Sequence, residues 1–405
     1  MSLTRSSAER ARSLSPRARG AWLTGLGIVL IAFNLRLSIS SASALLEPLR
    51  ERAGFGPVTA ALVPTLPTLC FAAVGACGAM LARRLGVERA VLLALTALCA
   101  GVAVRAAPGT TALLGGTLLG AAGLALCNVL LPAVVRARFP HRVALLTGLY
   151  TTTMALGSAV AAAAAVPVAD LVGGPAPGLA VWALPALLAL AVWAVAGRGA
   201  RESTAHGAAD AGDVSAWSMG RTRFGLLVTA FFALQSLSSY AVIGWLPSML
   251  TDRGMSSAQA GSLLGLTLLV GIPSTFALMP LTKGPGRLRT AFVVVGAALV
   301  AGYLGLLCAP LALPALWAVL TGLGLGAFPL VLAIIGTSGR SARETAALST
   351  FAQSTGYLVA SAGPFCVGLL RSATGGWDLP LALLIALAVL QLAVGLSLTT
   401  SRARD

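Results

Sequence analysis

The stretch Ile31–Leu46, IAFNLRLSISSASALL, has the length and apolar content of part of a bilayer-crossing helix, yet it carries Asn34 and Arg36 in its interior. A hydrocarbon core of roughly 30 Å takes about 20 residues of helix to cross, and apolar runs of that length recur throughout the 405 residues. Composition agrees: 57% of the residues are hydrophobic, 10% are charged and the mean hydropathy is +0.90. These values lie well outside the range of soluble domains. The fold class that follows is an all-α membrane protein.

Charged and Pro/Gly-rich breaks divide the sequence into twelve spans, near 21–46, 57–82, 88–106, 110–135, 143–169, 175–197, 224–250, 257–282, 288–309, 312–338, 345–370 and 378–400. The longest polar stretch after the N-terminus, GRGARESTAHGAADAGDVSAWSMGRTR (197–223), falls between the sixth and the seventh. The expected organisation is a tail over 1–20, a six-helix bundle over 21–197, a linker over 198–223, a second six-helix bundle over 224–400 and a tail over 401–405. Two internal echoes support the halving. RAGFGPVTAA (Arg52–Ala61) corresponds to DRGMSSAQAG (Asp252–Gly261), and TGLYTTT (Thr147–Thr153) to STFAQST (Ser349–Thr355), both at an offset of about 200 residues. Two pseudo-symmetric halves around a midplane site are the arrangement this points to.

Basic residues orient the spans. With the N-terminus in the cytoplasm, 22 of the 28 Lys and Arg fall on the cytoplasmic side, and Arg50, Arg52, Arg105, Arg253 and Arg371 on the other. Both termini are therefore expected in the cytoplasm. The net charge of +16 does not point to nucleic acid, because the basic residues sit in short loops and not on one face or along an aromatic-interleaved arm. The first apolar segment is too long and too polar in its middle for a signal-peptide core, so it is expected to be a retained span. The six cysteines all fall inside spans without zinc-binding spacing. No metal and no cofactor is expected.

Polar residues are uneven among the spans. The first has Asn34, Arg36 and the serines 38, 40, 41 and 43; the fourth has Asn128; the fifth has Tyr150 with Thr151, Thr152 and Thr153. The seventh has Gln235, Ser236, Ser238, Ser239 and Tyr240, and the eleventh Gln353, Ser354, Thr355 and Tyr357. Single serines and threonines usually hold helices together. An arginine in mid-membrane is different, since it costs at least about 2.5–3.5 kcal/mol even on the lenient insertion scale. No Asp or Glu stands in the apolar interior of a span to pair with Arg36. A guanidinium with no resident carboxylate, among amides and hydroxyls, is an anion site: its planar fork donates two parallel hydrogen bonds and does not deprotonate. The expected substrate-binding set is Asn34, Arg36, Asn128, Tyr150, Gln235, Tyr240 and Gln353, facing one water-filled space. Proton-coupled carriers usually relay through intramembrane Asp, Glu or His, and His141 and His206 both lie in loops. Facilitated diffusion, exchange, or symport with the anion carrying the proton are the modes left.

Four separated stretches carry a family resemblance: FNLRLSISSASALLEPLRE (33–51), GLALCNVLLPAVVRARFPHRVALLTGLYTTTMALGSAVAA (123–162), ALQSLSSYAVIGWLPSMLTDRGMSSAQAGSL (233–263) and ALSTFAQSTGYLVASAGPFCVGLLRSATGGWDLPLALL (347–384). In order and content they resemble the cyanate/nitroimidazole transporter family of the major facilitator superfamily. The resemblance implies twelve helices in two six-helix bundles and alternating access. The loop GAMLARRLGVER (Gly78–Arg89) is similar to the superfamily's motif between spans two and three, with Ala82 where an acidic residue is common. That departure puts the usual charge latch between the bundles in question.

An enzyme would need a nucleophile with its base, or a metal set, inside the spans, and none is present in the sequence. GTLLGAAGLAL (116–126) lies inside a span without a P-loop Lys, so its glycines serve helix packing. A drug exporter of the same superfamily is the competing reading; it would favour an intramembrane acid, where this chain has Arg36. The function expected is a monomeric secondary or facilitative transporter of the bacterial cytoplasmic membrane. Its partners are the bilayer and a small anionic or polar solute, cyanate-like or nitroimidazole-like.

The orientation has a direct check. A single cysteine at position 252 on a cysteine-free background should label with an impermeant maleimide in intact cells, and one at position 206 only after the membrane is opened. The reverse pattern overturns the orientation.

Overall fold

The structure, a computed structural model, describes residues 16–198, 216–282, 285–338 and 341–402. His206 and most of the expected linker lie outside the described residues. The described residues are helical, with no strand among them. Among the described residues nine spans are single helices: the first Pro16–Ala44, second Pro57–Leu85, third Val87–Val104, fourth Thr110–Arg138, fifth Val143–Leu171, seventh Arg223–Thr251, eighth Ser257–Leu278, ninth Pro285–Cys308 and twelfth Asp378–Arg402. A short helix, Leu46–Ala53, follows the first span.

Three spans are broken. The sixth is Pro175–Val181 then Ala183–Arg198, the tenth Pro314–Leu325 then Ala327–Ser338, and the eleventh Ala342–Ala360 then Ala362–Thr374. Among the described residues eleven helical stretches are long and apolar enough to cross a bilayer. The eleventh span in chain order is the twelfth crossing; Ser349, Gln353, Ser354 and Thr355 dilute its apolar content and the break at Ser361 shortens each helix.

Local chemistry sets several helix ends. Thr222 caps the seventh span by accepting from the Gly225 amide, and Ser256 with Gln259 forms a reciprocal capping box on the eighth. Proline opens the second span at Pro57, where a missing N–H is harmless. Prolines inside helices, among them Pro64, Pro67 and Pro132, are tolerated because neighbouring helices cover the freed carbonyls.

Within the first half the first span packs most extensively on the fifth, and the third on the fourth. The latter pair meets backbone to backbone: a Cβ on Gly101 would stand 2.1 Å from the Gly120 nitrogen, and one on Gly116 2.3 Å from the Arg105 nitrogen. In the second half the seventh packs on the eleventh, and the ninth on the twelfth and tenth. The halves meet through the fifth and eighth spans and through the second and eleventh. Each contact joins the second span of one half to the fifth of the other, as pseudo-symmetry requires.

Those contacts are tight at the end of the bundle opposite the described chain ends. A Cβ on Gly261 of the eighth span would meet the Ala162 carbonyl oxygen at 2.6 Å, and one on Gly265 the Ala159 oxygen at 2.9 Å. Gly244 stands against Pro64 in the same way, and Gly368 against Trp245 and Ala61. We call this the far end. At the near end Ala82 is buried, and a charge pair joins Glu88 to Arg138, with Trp193 Nε1 donating to the Glu88 carbonyl at 3.3 Å. All three belong to the first half, so this pair ties the third, fourth and sixth spans and does not latch the halves together.

Gly101→Ala should lower the melting temperature of the detergent-purified protein, since overpacking typically costs about 1–3 kcal/mol. Gly115→Ala is the control, because a Cβ there meets nothing within 4 Å. Equal melting of the two variants would show that the third and fourth spans are not in backbone contact.

Candidate functional site

A cavity of about 420 Å³ lies between the halves, bounded by the fifth span from Thr147 to Ser158, the eighth from Thr267 to Met279 and the tenth from Leu325 to Leu332. Arg36 of the first span and Ser239 and Ile243 of the seventh line its deep end. These segments occupy the near half of their helices. The cavity therefore lies on the near side of the seal described above.

Arg36 is half-buried. Its guanidinium carbon lies 5.1 Å from the Phe328 ring centre and 5.8 Å from that of Tyr240. Among the described residues it has no ion pair and no hydrogen bond. Ring faces attract a cation but offer it no acceptor, so the N–H groups of Arg36 remain available.

The rings beside it form one cluster across the halves. Phe71 of the second span packs on Tyr357 of the eleventh at 5.3 Å between centres and on Tyr240 of the seventh at 6.2 Å. Phe232 joins Tyr357 at 5.1 Å to Phe328 at 5.9 Å. Phe71, Tyr240 and Tyr357 are all buried. Below this cluster the wall is mixed. Thr151, Thr267 and Thr275 line the cavity and donate to carbonyls of their own helices at 2.8–2.9 Å, which leaves their oxygen lone pairs as acceptors. Phe276, Met279, Ile272 and Leu332 supply the apolar remainder.

The sequence-expected set does not share this space as a whole. Arg36 lines it, and Tyr240 touches it through Arg36. Asn34 does not: its Nδ2 donates to the Leu30 carbonyl at 2.8 Å and to Pro185 of the sixth span at 3.1 Å. Two residues along a helix turn the side chain by about 200°, which sends Asn34 to the opposite face from Arg36. Gln235 is buried and donates to Ser239 Oγ at 2.8 Å and to the Leu325 carbonyl at 3.4 Å, at the break in the tenth span. Gln353 donates to Ser349 within its own helix at 2.7 Å. Tyr150 is half-buried against the core, and Asn128 is half-buried on the fourth span; neither lines the cavity. Of the seven residues expected to share one space, only Arg36 is on the cavity wall: Asn34 bonds to backbone on another face, and Gln235 stands behind the wall, bonded to Ser239 and to the Leu325 carbonyl.

Phe328, Ser158, Thr267 and Thr275 were not singled out from the sequence. Phe328 follows Gly326 in GLGLGAFP, and a Gly/Pro-interrupted apolar segment marks a broken helix at a binding site. Ser158 meets Ser40 at 2.5 Å between hydroxyl oxygens, the same face of the first span that carries Arg36.

At the far end Asp252 Oδ2 accepts from Arg371 Nε at 3.0 Å, from Arg371 Nη2 at 2.7 Å and from Trp377 Nε1 at 2.8 Å. Glu47, on the short helix of the first half, lies in the field of this cluster. Burial pushes its carboxyl above the usual range; Arg50 opposes the shift, and the negative charges of Asp252 and Glu51 add to it.

A family profile described as Major Facilitator Superfamily matches residues 26–364. A 2-nitroimidazole transporter of Escherichia coli (strain K12) is 37% identical over 382 residues, covering 91% of this chain and 93% of that protein. The cyanate transport protein CynX of the same organism is 31% identical over 360 residues, covering 87% and 91%. Among solved structures, a bacterial homolog of the human lysosomal transporter Spinster, in an inward-facing and unoccupied conformation, superposes with a TM-score of 0.75 at 15% identity over 97% of this chain and 99% of that one. At that identity the likeness concerns the fold.

Gln235→Leu leaves the Leu325 carbonyl and the Ser239 hydroxyl without their partner, and a buried unsatisfied group costs about 1–3 kcal/mol. It should lower the melting temperature more than Gln353→Leu, whose bond lies within one helix. Equal losses would mean that Gln235 does not brace the tenth span.

Proposed function

The chain belongs to the major facilitator superfamily and is a multi-pass membrane transporter, not an enzyme; from that premise we propose that it carries a small, flat anionic or polar organic solute bound at Arg36. The observation that carries the reading is the state of that side chain: a guanidinium with two ring faces beside it and, among the described residues, no ion pair or hydrogen bond, on the wall of a cavity. A carboxylate or nitro group presents two oxygens to which a guanidinium edge can donate in parallel. The neighbouring ring faces, with Phe276, Ile272 and Leu332 along the wall, suit a planar organic body on the anion. A volume of about 420 Å³ far exceeds a bare cyanate and falls within the usual range for small-molecule sites. The names of the relatives, a 2-nitroimidazole transporter and a cyanate transport protein, are in keeping with this class.

Movement follows from the two-fold pattern of contacts. We take 21–197 and 224–400 as the two moving bodies, hinged about the cluster of Phe71, Tyr240 and Tyr357. With the termini cytoplasmic, the cavity is the inward-facing one and the far-end seal is the external gate. Closing the fifth and eighth spans at the near end while parting them at the far end would expose Arg36 to the other side. A solute shifts that equilibrium only by its difference in affinity for the two states.

Transport should fall in the order Arg36, Arg36→Lys, Arg36→Gln: lysine keeps the charge without the fork, and glutamine has neither. The separating measurement is melting temperature with and without 2-nitroimidazole or benzoate, since a ligand at about 100 times its dissociation constant adds roughly 2.7 kcal/mol to the folded state. Wild type should shift and Arg36→Gln should not. A full shift retained in Arg36→Gln would remove Arg36 from the site.

A further inference from the structure

Arg105 reads from the sequence as a loop charge at the far end, but it turns into the first half. It directly follows the third span and is only 5% exposed. Its Nη1 donates to the Ser38 carbonyl at 2.7 Å and its Nη2 approaches Ser41 Oγ at 3.4 Å, while its Nε has no partner. A second buried polar atom, Thr117 Oγ1 of the fourth span, is also without a partner. Both residues line one void of about 10 Å³ among the first four spans, with Ser38, Gly116 and Gly120 on its wall. That volume is close to a single water-sized sphere. Gly116 lets the fourth span approach the Arg105 backbone closely, since a Cβ there would stand 2.3 Å from the Arg105 backbone nitrogen.

We propose that this void binds one monatomic anion, chloride under cellular conditions, held by the Nε–H of Arg105 and the hydroxyl of Thr117. Two arguments support an anion over a water molecule. Among the residues that line the void there is no Asp or Glu, so the guanidinium has no counter-charge, and an uncompensated buried charge is strongly destabilising. The Nε–H of Arg105 can only donate and the Thr117 hydroxyl can rotate to donate beside it, so both can serve a ligand that only accepts. A void of about 10 Å³ favours a monatomic ion over sulfate, phosphate or an organic solute. It lies inside one half and not between the halves, so it is separate from the Arg36 cavity and independent of the function proposed for that cavity. A bound anion there would fasten Ser38 of the first span, two residues beyond Arg36, to the third and fourth spans.

The test uses the purified full-length protein, melted in sodium chloride and in sodium gluconate at equal ionic strength. Wild type should show a saturable rise with chloride, and bromide should replace it. Thr117→Val keeps the side-chain shape and removes the donor; it should melt like wild type in gluconate and require at least tenfold more chloride for half its effect. Arg36→Gln should keep the chloride response, and bromide-soaked crystals should give an anomalous peak beside Arg105 Nε. Melting that is identical in chloride and gluconate overturns the proposal. So does a response unchanged in Thr117→Val, a response lost in Arg36→Gln, or a void that holds only water in the bromide crystals.

Discussion

A guanidinium does not shed its proton in a protein, so a fold that places one at mid-membrane must offer it a carboxylate, a polar cage or water. At Arg36 the fold offers ring faces and a cavity. Phe328 and Tyr240 set ring faces beside the ion, and these attract the charge without accepting its N–H groups in ordinary hydrogen bonds. The same choice shapes the centre of the bundle. Phe232, Phe71 and Tyr357 continue the ring contacts, and through them the second, seventh, tenth and eleventh spans converge on the first. One charge thus determines which side chains can stand at the junction of the halves.

Backbone satisfaction is the second constraint, because a lipid-facing carbonyl has no water to bond. The breaks in the tenth and eleventh spans free carbonyls near the site, and intramembrane amides are set against that need. Gln235 reaches the Leu325 carbonyl, and Asn34 reaches Pro185 in the sixth span. Both side chains have the polarity of a binding residue and the position of a brace. Ser239, held by Gln235, is where bracing and cavity meet.

The spans were legible in the sequence because length and hydropathy are set by the bilayer and need no tertiary information. Arg36 was legible for the same reason: its cost is independent of its neighbours. The amides were not, because polarity alone does not say which face of a helix a residue occupies, although the two-residue spacing of Asn34 and Arg36 already separates them by most of a half-turn. Phe328 was hidden by resembling the apolar residues around it, with only the Gly326 break to mark it. The burial of Arg105 was hidden for a geometric reason. At the end of an apolar run a basic residue reads as a loop charge, and only its bonds to Ser38 and Ser41 of the first span show that the side chain turns inward.

The far-end seam between the fifth and eighth spans is built from alanine and glycine against carbonyl oxygens. Alanine and glycine have no side-chain rotamers to lose on burial. At Gly261 and Gly265 the two helices can therefore separate or close with almost no change in side-chain entropy. The directional contacts of Arg371 and Trp377 on Asp252 stand beside the seam and do not cross it, since all three residues belong to the second half. The surface between the halves is there a smooth bearing, and the polar clamp next to it stiffens one of the two bodies that bear on it.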